Sequence, residues 1–424
     1  MTNVIPFRAL RYQSGRVELE RVLAPVYDVV AAEDRALYYD RDPHNALRLE
    51  LTRSVEEEAT TDYADVARTL AQWRREGVLV RDAEPSLYVL RQRFAGPGGG
   101  EVERVGFFGA LHLEDYESRI VLPHESTLAG PKADRLKILR ASQANLSSVF
   151  MLYEDREMSL ADLLGEALRS SEGISVRNDE GIEHTLAPLR DPDAVAQVRS
   201  FLAKRPVVIA DGHHRYETAL AYRDERRAEE GAAGDPDAPH ERILAYFANA
   251  FASGTLLLPI HRVILKLPPA TNAGWRSRLS NWERRTVPVS GKEAIPAALE
   301  EHLAPLRGSY AFAADDGSRE LQIFSRAAGE ELSVRIIHRE VLGDVFHLDE
   351  DAVRNGAVAF PKSTLQAARD VREGKGAVAL YLNPLEPGDV FRVTGAGETL
   401  PQKSTFFFPK LPTGLLFRVL EAGA

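Results

Sequence analysis

Val207-Val208-Ile209-Ala210-Asp211-Gly212-His213-His214-Arg215-Tyr216-Glu217-Thr218-Ala219-Leu220 decides how this chain is read. The opening four residues are apolar and largely β-branched, as a buried strand requires. Asp211-Gly212 then makes a sharp turn, with Gly212 permitting close backbone approach. A helical pattern follows from His214 to about Glu229. The N-terminus of a helix exposes unpaired N–H groups and a partial positive charge, which suits an anion. Arg215 adds a planar donor matched to phosphate oxygens, and the histidines can donate or titrate near neutral pH. The plainer alternative makes Asp211 a helix cap and the histidines surface residues; the density of His-His-Arg behind the turn favours a ligand. Adjacent histidines diverge, so a metal here needs distant partners such as His124 or Asp28.

Outward from this turn, strand and helix signals alternate. Lys204-Arg205-Pro206 ends a short helix over Ala194–Leu202. Upstream, Tyr63, Val66, Ala67, Leu70 and Trp73 recur at helical spacing up to Gly77. Ser86–Phe94 and Val102–Leu113 read as a hairpin around Gly96-Pro97-Gly98-Gly99-Gly100, and Ile174–Leu189 as another turning at Asn178-Asp179-Glu180-Gly181. Gly231–Pro239 is a surface loop, after which Ile243–Phe251 is apolar again. The break at Leu267-Pro268-Pro269 predicts two units, a larger one over residues 1–267 and a smaller α/β one over 268–424 that acts as a lid or packing domain. The fold class expected is mixed α/β (α+β), with a mixed sheet and hairpins.

The 424 residues carry 44% hydrophobic and 27% charged side chains, enough for sizeable cores. No cysteine is present, which excludes disulfides, thiolate metal sites and cysteine nucleophiles. A net charge of −10, with basic residues interleaved among acids, argues against nucleic acid. The N-terminal residues do not read as a signal peptide and no run spans a membrane, so the cytoplasm is the expected location. Oligomeric state is not encoded in any pattern found.

Further polar clusters are candidates for the same site. In Leu122-Pro123-His124-Glu125-Ser126-Thr127, Glu125 or His124 can act as general base on a hydroxyl. Lys132 and Arg135 can steady a phosphoryl group, or can simply belong to a solvated helix over Asp134–Ala141. Asp28 either ligates Mg²⁺ or caps a helix beginning near Ala31. Lys403-Ser404-Thr405 offers an ammonium and hydroxyls without a glycine-rich loop, and Ser363 reads as a helix cap.

Asp211-Gly212-His213-His214-Arg215 resembles the phosphate-binding turn of the ParB/sulfiredoxin superfamily. On that resemblance the sulfiredoxin cysteine falls on His213, its histidine on His214 and its arginine on Arg215; without cysteine, sulfiredoxin chemistry is excluded. Free-serine kinases of that superfamily carry a turn of this kind. Pro6–Tyr12, Ala24–Asp28, Pro123–Thr127, Pro131–Arg135, Asp211–Leu220 and Lys403–Thr405 in this order resemble the bacterial family catalogued as domain of unknown function 1015. Its members are encoded near serine-biosynthesis genes, an association that suggests serine or phosphoserine as ligand.

These resemblances imply a ParB/sulfiredoxin-like core and a nucleotide-dependent phosphotransferase acting on a small hydroxy-metabolite such as free serine. Gly212, His214, Arg215, Lys132 and Arg135 would hold the phosphates of ATP or ADP. Mg²⁺ would sit near Asp211 or Asp28, and Glu125, His124, His213 and Asp211 would carry the chemistry. Two alternatives stay open: a non-catalytic nucleotide- or phosphoserine-binding regulator, and a metal-dependent phosphatase or hydrolase.

Overall fold

The structure is a computed structural model. It describes the chain except residues 54–60, 98, 126–128, 170–171, 232–234, 269–270, 272–273, 402 and 422–424, and the side chains of 129–131. Gly98, Ser126, Thr127 and Pro269 of the motifs above lie outside the described residues.

The fold is mixed α/β, as the alternating pattern predicts. It divides into two compact units, Met1–Leu256 with Pro409–Ala424, and Leu257–Phe408. The first unit is built on a mixed nine-stranded sheet. Its strands run in the order Val121–Leu122, Val207–Asp211, Val149–Tyr153, Arg242–Asn249, Glu101–His112, Leu87–Ala95, Glu183–Leu189 and Ile174–Arg177. Val4–Ile5 completes it by pairing with Leu111 and Ala110. Val207–Asp211 runs parallel to Val121–Leu122 but antiparallel to Val149–Tyr153.

Strands Val149–Tyr153 and Arg242–Asn249 are buried at every residue. Covered on both faces, such strands read as continuous apolar runs rather than alternating ones. Helix Pro192–Ala203 contributes Val195, Val198 and Leu202 from one stripe to this core. Asp191 caps it by accepting from Ala194 N at 2.8 Å, and Pro192 fills the first turn, where no N–H acceptor is needed. The packing leaves no room at Gly106, opposite Ala248 in the neighbouring strand. A Cβ there would lie 2.3 Å from the Phe247 carbonyl oxygen and 2.5 Å from Tyr246 Oη.

The second unit carries a six-stranded sheet in the order Glu283–Pro288, Glu320–Arg326, Tyr310–Asp315, Val378–Leu382, Arg262–Ile264 and Val358–Ala359. Its described pairings are antiparallel. Period-two alternation sorts its residues into two cores. Phe312, Ala314, Phe324 and Leu380 join Trp275 and Phe346, while Ala311, Ala313, Ile323 and Tyr381 join Ile295 and Val371. Helix Pro387–Gly395 contains Val390 and Val393, and Ser363 caps the helix Thr364–Arg372 by accepting from Gln366 N.

The units differ from the expected division at residue 267. Strand Arg262–Ile264, before the Leu267-Pro268 break, is already paired with Val378–Leu382 of the second unit. Residues 409–424 return to the first, where Arg418–Val419 pairs with Ala144–Asn145 and Phe417 exchanges backbone hydrogen bonds with Leu10. A proline-rich break marks a loop, whereas a unit boundary is set by long-range strand pairing.

Gly106→Ala should destabilise the first unit by about 1–3 kcal/mol, the usual range for overpacking a filled interior. Urea unfolding followed by tryptophan fluorescence and circular dichroism checks this, and an unchanged midpoint would contradict the packing described.

Candidate functional site

The turn at Asp211 is shaped by a register shift. Ile209 pairs with Met151, but Asp211 pairs with Phe150, so Ala210 is one residue more than its partner strand accommodates. Such bulges re-aim the residues that follow. Gly212 then adopts φ 89°, ψ 29°, a left-handed conformation natural to glycine, and helix His213–Glu230 begins. Tyr216 anchors the first turn of this helix, its hydroxyl donating to Glu114 O at 2.8 Å and accepting from Glu114 N at 2.9 Å.

Arg215 folds back over Gly212, where a Cβ would come within 2.9 Å of its Nε. Its Nη2 bonds Asp211 Oδ2 at 2.7 Å and its Nη1 donates to the carbonyl oxygen of Ser148. The other Asp211 oxygen, Oδ1, pairs with Lys410 Nζ. Burial alone would raise the Asp211 pKa, but Lys410 and Arg215 together hold this carboxyl far below the usual range. Arg215 Nε is buried without an acceptor among the described residues. An unmet buried donor costs about 1–3 kcal/mol, which an incoming acceptor would offset.

His124 and His213 are tied into structure. The His124 backbone N–H donates to His213 Nε2 at 3.2 Å, so that nitrogen carries no proton and His213 clamps the 122–125 loop to the turn. The His124 ring meets the His213 ring edge-on, with centroids 4.6 Å apart, and its Nδ1–H donates to Ile209 O. Burial pushes the pKa of both imidazoles down, and for His213 the neighbouring His124 adds to the effect. Glu125 is only partly buried, with Oε1 3.9 Å from His124 Nε2. His214 is partly exposed in the first turn of the helix.

The remaining sequence candidates are placed unequally. Lys132 pairs with Glu217 at 2.7 Å, linking helix Ala129–Ser142 to helix His213–Glu230. That first helix is longer than the expected Asp134–Ala141. Arg135 donates to Glu50 O at 2.9 Å and lies over the Tyr27 ring at 4.0 Å; Arg215 lies 5.9 Å from the same ring. Arg135 and Arg215 also line one small cavity of about 50 Å³ with Glu50 and Thr218. Asp28 is exposed, within a short 3₁₀ turn Tyr27–Val29 rather than at the cap of the expected helix, and acts on the charge of Arg215. Among the described residues no three His, Asp or Glu side chains gather as metal ligands. Lys403-Ser404-Thr405 belongs to the second unit.

Sequence reasoning missed Lys410, Glu50 and Tyr27. Lys410 follows Lys403-Ser404-Thr405 by five residues, yet nothing local shows that it reaches a residue 199 positions away. Glu50 is buried, taking hydroxyl hydrogen bonds from Ser147 and from Thr413 at 2.9 Å.

The buried neutral histidines make stability depend on pH. His124, His213 and His184, the last pushed down to about 3 by burial and Arg104, stay unprotonated in the folded unit. The unfolded chain protonates them near pH 6.5, so it binds more protons and stability is lost as pH falls below about 6.5, by up to about 1.4 kcal/mol per unit for each histidine. Urea unfolding at several pH values between about 7.5 and 5 tests this against the model-peptide reference. A flat profile would contradict it.

Comparison with known proteins gives a family and distant folds. No curated protein matches this chain. Similar solved structures include a conserved hypothetical protein from Pyrococcus furiosus, 12% identical over 74% of this chain and 95% of that one, with a TM-score of 0.36. A free serine kinase in complex with AMP is 14% identical over 73% and 92%, with the same TM-score of 0.36. SbnI with C-terminal truncation from Staphylococcus aureus is 10% identical over 74% and 89%, at 0.33. Residues 4–323 match the family described as protein of unknown function (DUF1015), and the chain belongs to that family.

Proposed function

We propose that the 211–215 turn binds the phosphates of ATP or ADP and that the protein transfers a phosphoryl group to the hydroxyl of a small metabolite, free serine being the first to try. One observation carries this: Arg215 and Lys410 converge on a single carboxylate at the start of a long helix, beside a glycine bend and with Arg215 Nε lacking an acceptor among the described residues. Two cations against one anion, added to the helix terminus, favour a polyanion. Asp211 holds the two cations in position, and Arg135 stands beside Arg215 across Tyr27. The resemblance of the turn to that of free-serine kinases, and through them to the ParB/sulfiredoxin superfamily, points the same way.

In this scheme the metabolite hydroxyl attacks the terminal phosphorus, the bond from that phosphorus to the bridging oxygen breaks, and Glu125 takes the hydroxyl proton. His124 backs Glu125, and His213 fixes the loop that carries both. Positioning and charge stabilisation supply most of the rate in such transfers. Mg²⁺ would offset phosphate charge. With no gathered ligand set among the described residues, it would be held chiefly by the nucleotide and water, with Asp28 as the carboxylate, because both oxygens of Asp211, the other expected ligand, are held by Arg215 and Lys410.

Binding without turnover is the second reading. It is favoured by His213, whose Nε2 already accepts the His124 backbone N–H. A metal-dependent phosphatase finds no ligand set among the described residues.

Phosphorus NMR of the protein with Mg²⁺, ATP or ADP, and serine or related hydroxy-metabolites separates these readings. A new phosphomonoester signal that requires one acceptor is expected. Unchanged nucleotide with every acceptor, together with a nucleotide-induced rise in melting temperature, would contradict transfer and leave the binding protein.

A further inference from the structure

The second unit contains a cavity of about 360 Å³, a size typical of small-molecule sites. Sheet register explains its position. Phe312 pairs with Leu382, and Arg262 with Leu380, in antiparallel strands. Tyr310 and Arg262 therefore start their strands at the edge where Leu382 ends its own, and the cavity lies at that edge. Arg262 is fully buried there, its Nη2 donating to Lys403 O at 3.2 Å. Lys403 itself has φ 57°, left-handed for a non-glycine residue, and Ser404 lines the cavity beside it. Backbone strain of this kind collects at ligand sites.

The lining combines apolar and charged groups in one arrangement. Leu332, Ile337 and Leu382 supply apolar surface. Arg307 and Glu330 line the same cavity, both exposed and neither with a side-chain partner among the described residues. They do not pair with each other, whereas Glu331, Asp389 and Arg392 of the same lining are each paired, with Arg339 or with one another.

We propose that this cavity binds a free α-amino acid, its carboxylate on Arg307, its ammonium on Glu330 and its side chain between Leu332, Ile337 and Leu382. A zwitterion satisfies both charges at once, whereas a simple anion or cation would leave one beside a like charge.

The test uses the full-length protein, titrated singly with the free amino acids by calorimetry and thermal shift. At least one is expected to bind with one-to-one stoichiometry and raise a melting temperature. Arg307→Glu and Glu330→Lys, both at exposed positions, should each weaken that binding by about tenfold or more. Arg285→Glu, on the exposed edge strand Glu283–Pro288, should leave it unchanged. The proposal is overturned if no amino acid binds, if binding survives both cavity variants, or if Arg285→Glu weakens it equally.

Discussion

A single carboxylate, Asp211, held between Lys410 and Arg215, joins a strand-to-helix turn of the first unit to a segment that the sequence keeps 199 residues away. Asp211 ends a bulged strand, Arg215 lies one helical turn on, and Lys410 comes from the segment that returns after the second unit. Ion pairs taken out of water are poor sources of net stability but costly to break, because the survivor is left without compensation. Here the carboxylate fixes two cations around the start of a helix, and Ser148 O holds Arg215 from a further strand connection. Such a cluster is better suited to presenting positive charge at a defined place than to stabilising the fold.

Features set by neighbouring residues could be read directly from the chain. The β-branched run Val207–Ala210, the glycine at 212 and the apolar stripe behind it specify strand, bend and helix within a few residues, and the structure places them at Val207–Asp211, Gly212 and His213–Glu230. The hairpin Leu87–Ala95 with Glu101–His112 was legible for the same reason. Lys410, Glu50 and Tyr27 were not, since each acquires its meaning from a partner far along the chain. The expected boundary at 267 failed likewise, because Arg262–Ile264 is committed to a sheet whose next strand, Val378–Leu382, is more than a hundred residues distant.

The histidines show how residue type alone under-determines role. His213 sits where a catalytic group was expected, but its Nε2 accepts a backbone N–H and its ring is buried against His124. Burial keeps both imidazoles neutral, which suits hydrogen-bonded positioning and leaves Glu125 as the more accessible acid–base group. In the second unit, by contrast, a sheet with two apolar faces ends at a cavity where Arg307 and Glu330 have no side-chain partner among the described residues, and no recognisable motif marks it.

The most direct measurement is nucleotide affinity by calorimetry for the wild type, Arg215→Ala and Lys410→Ala. If the cations around Asp211 form the phosphate site, each substitution removes a charge-assisted contact and should weaken ADP or ATP binding by about tenfold or more. Unchanged affinity in both variants, with the fold intact by circular dichroism, would contradict the assignment of the site.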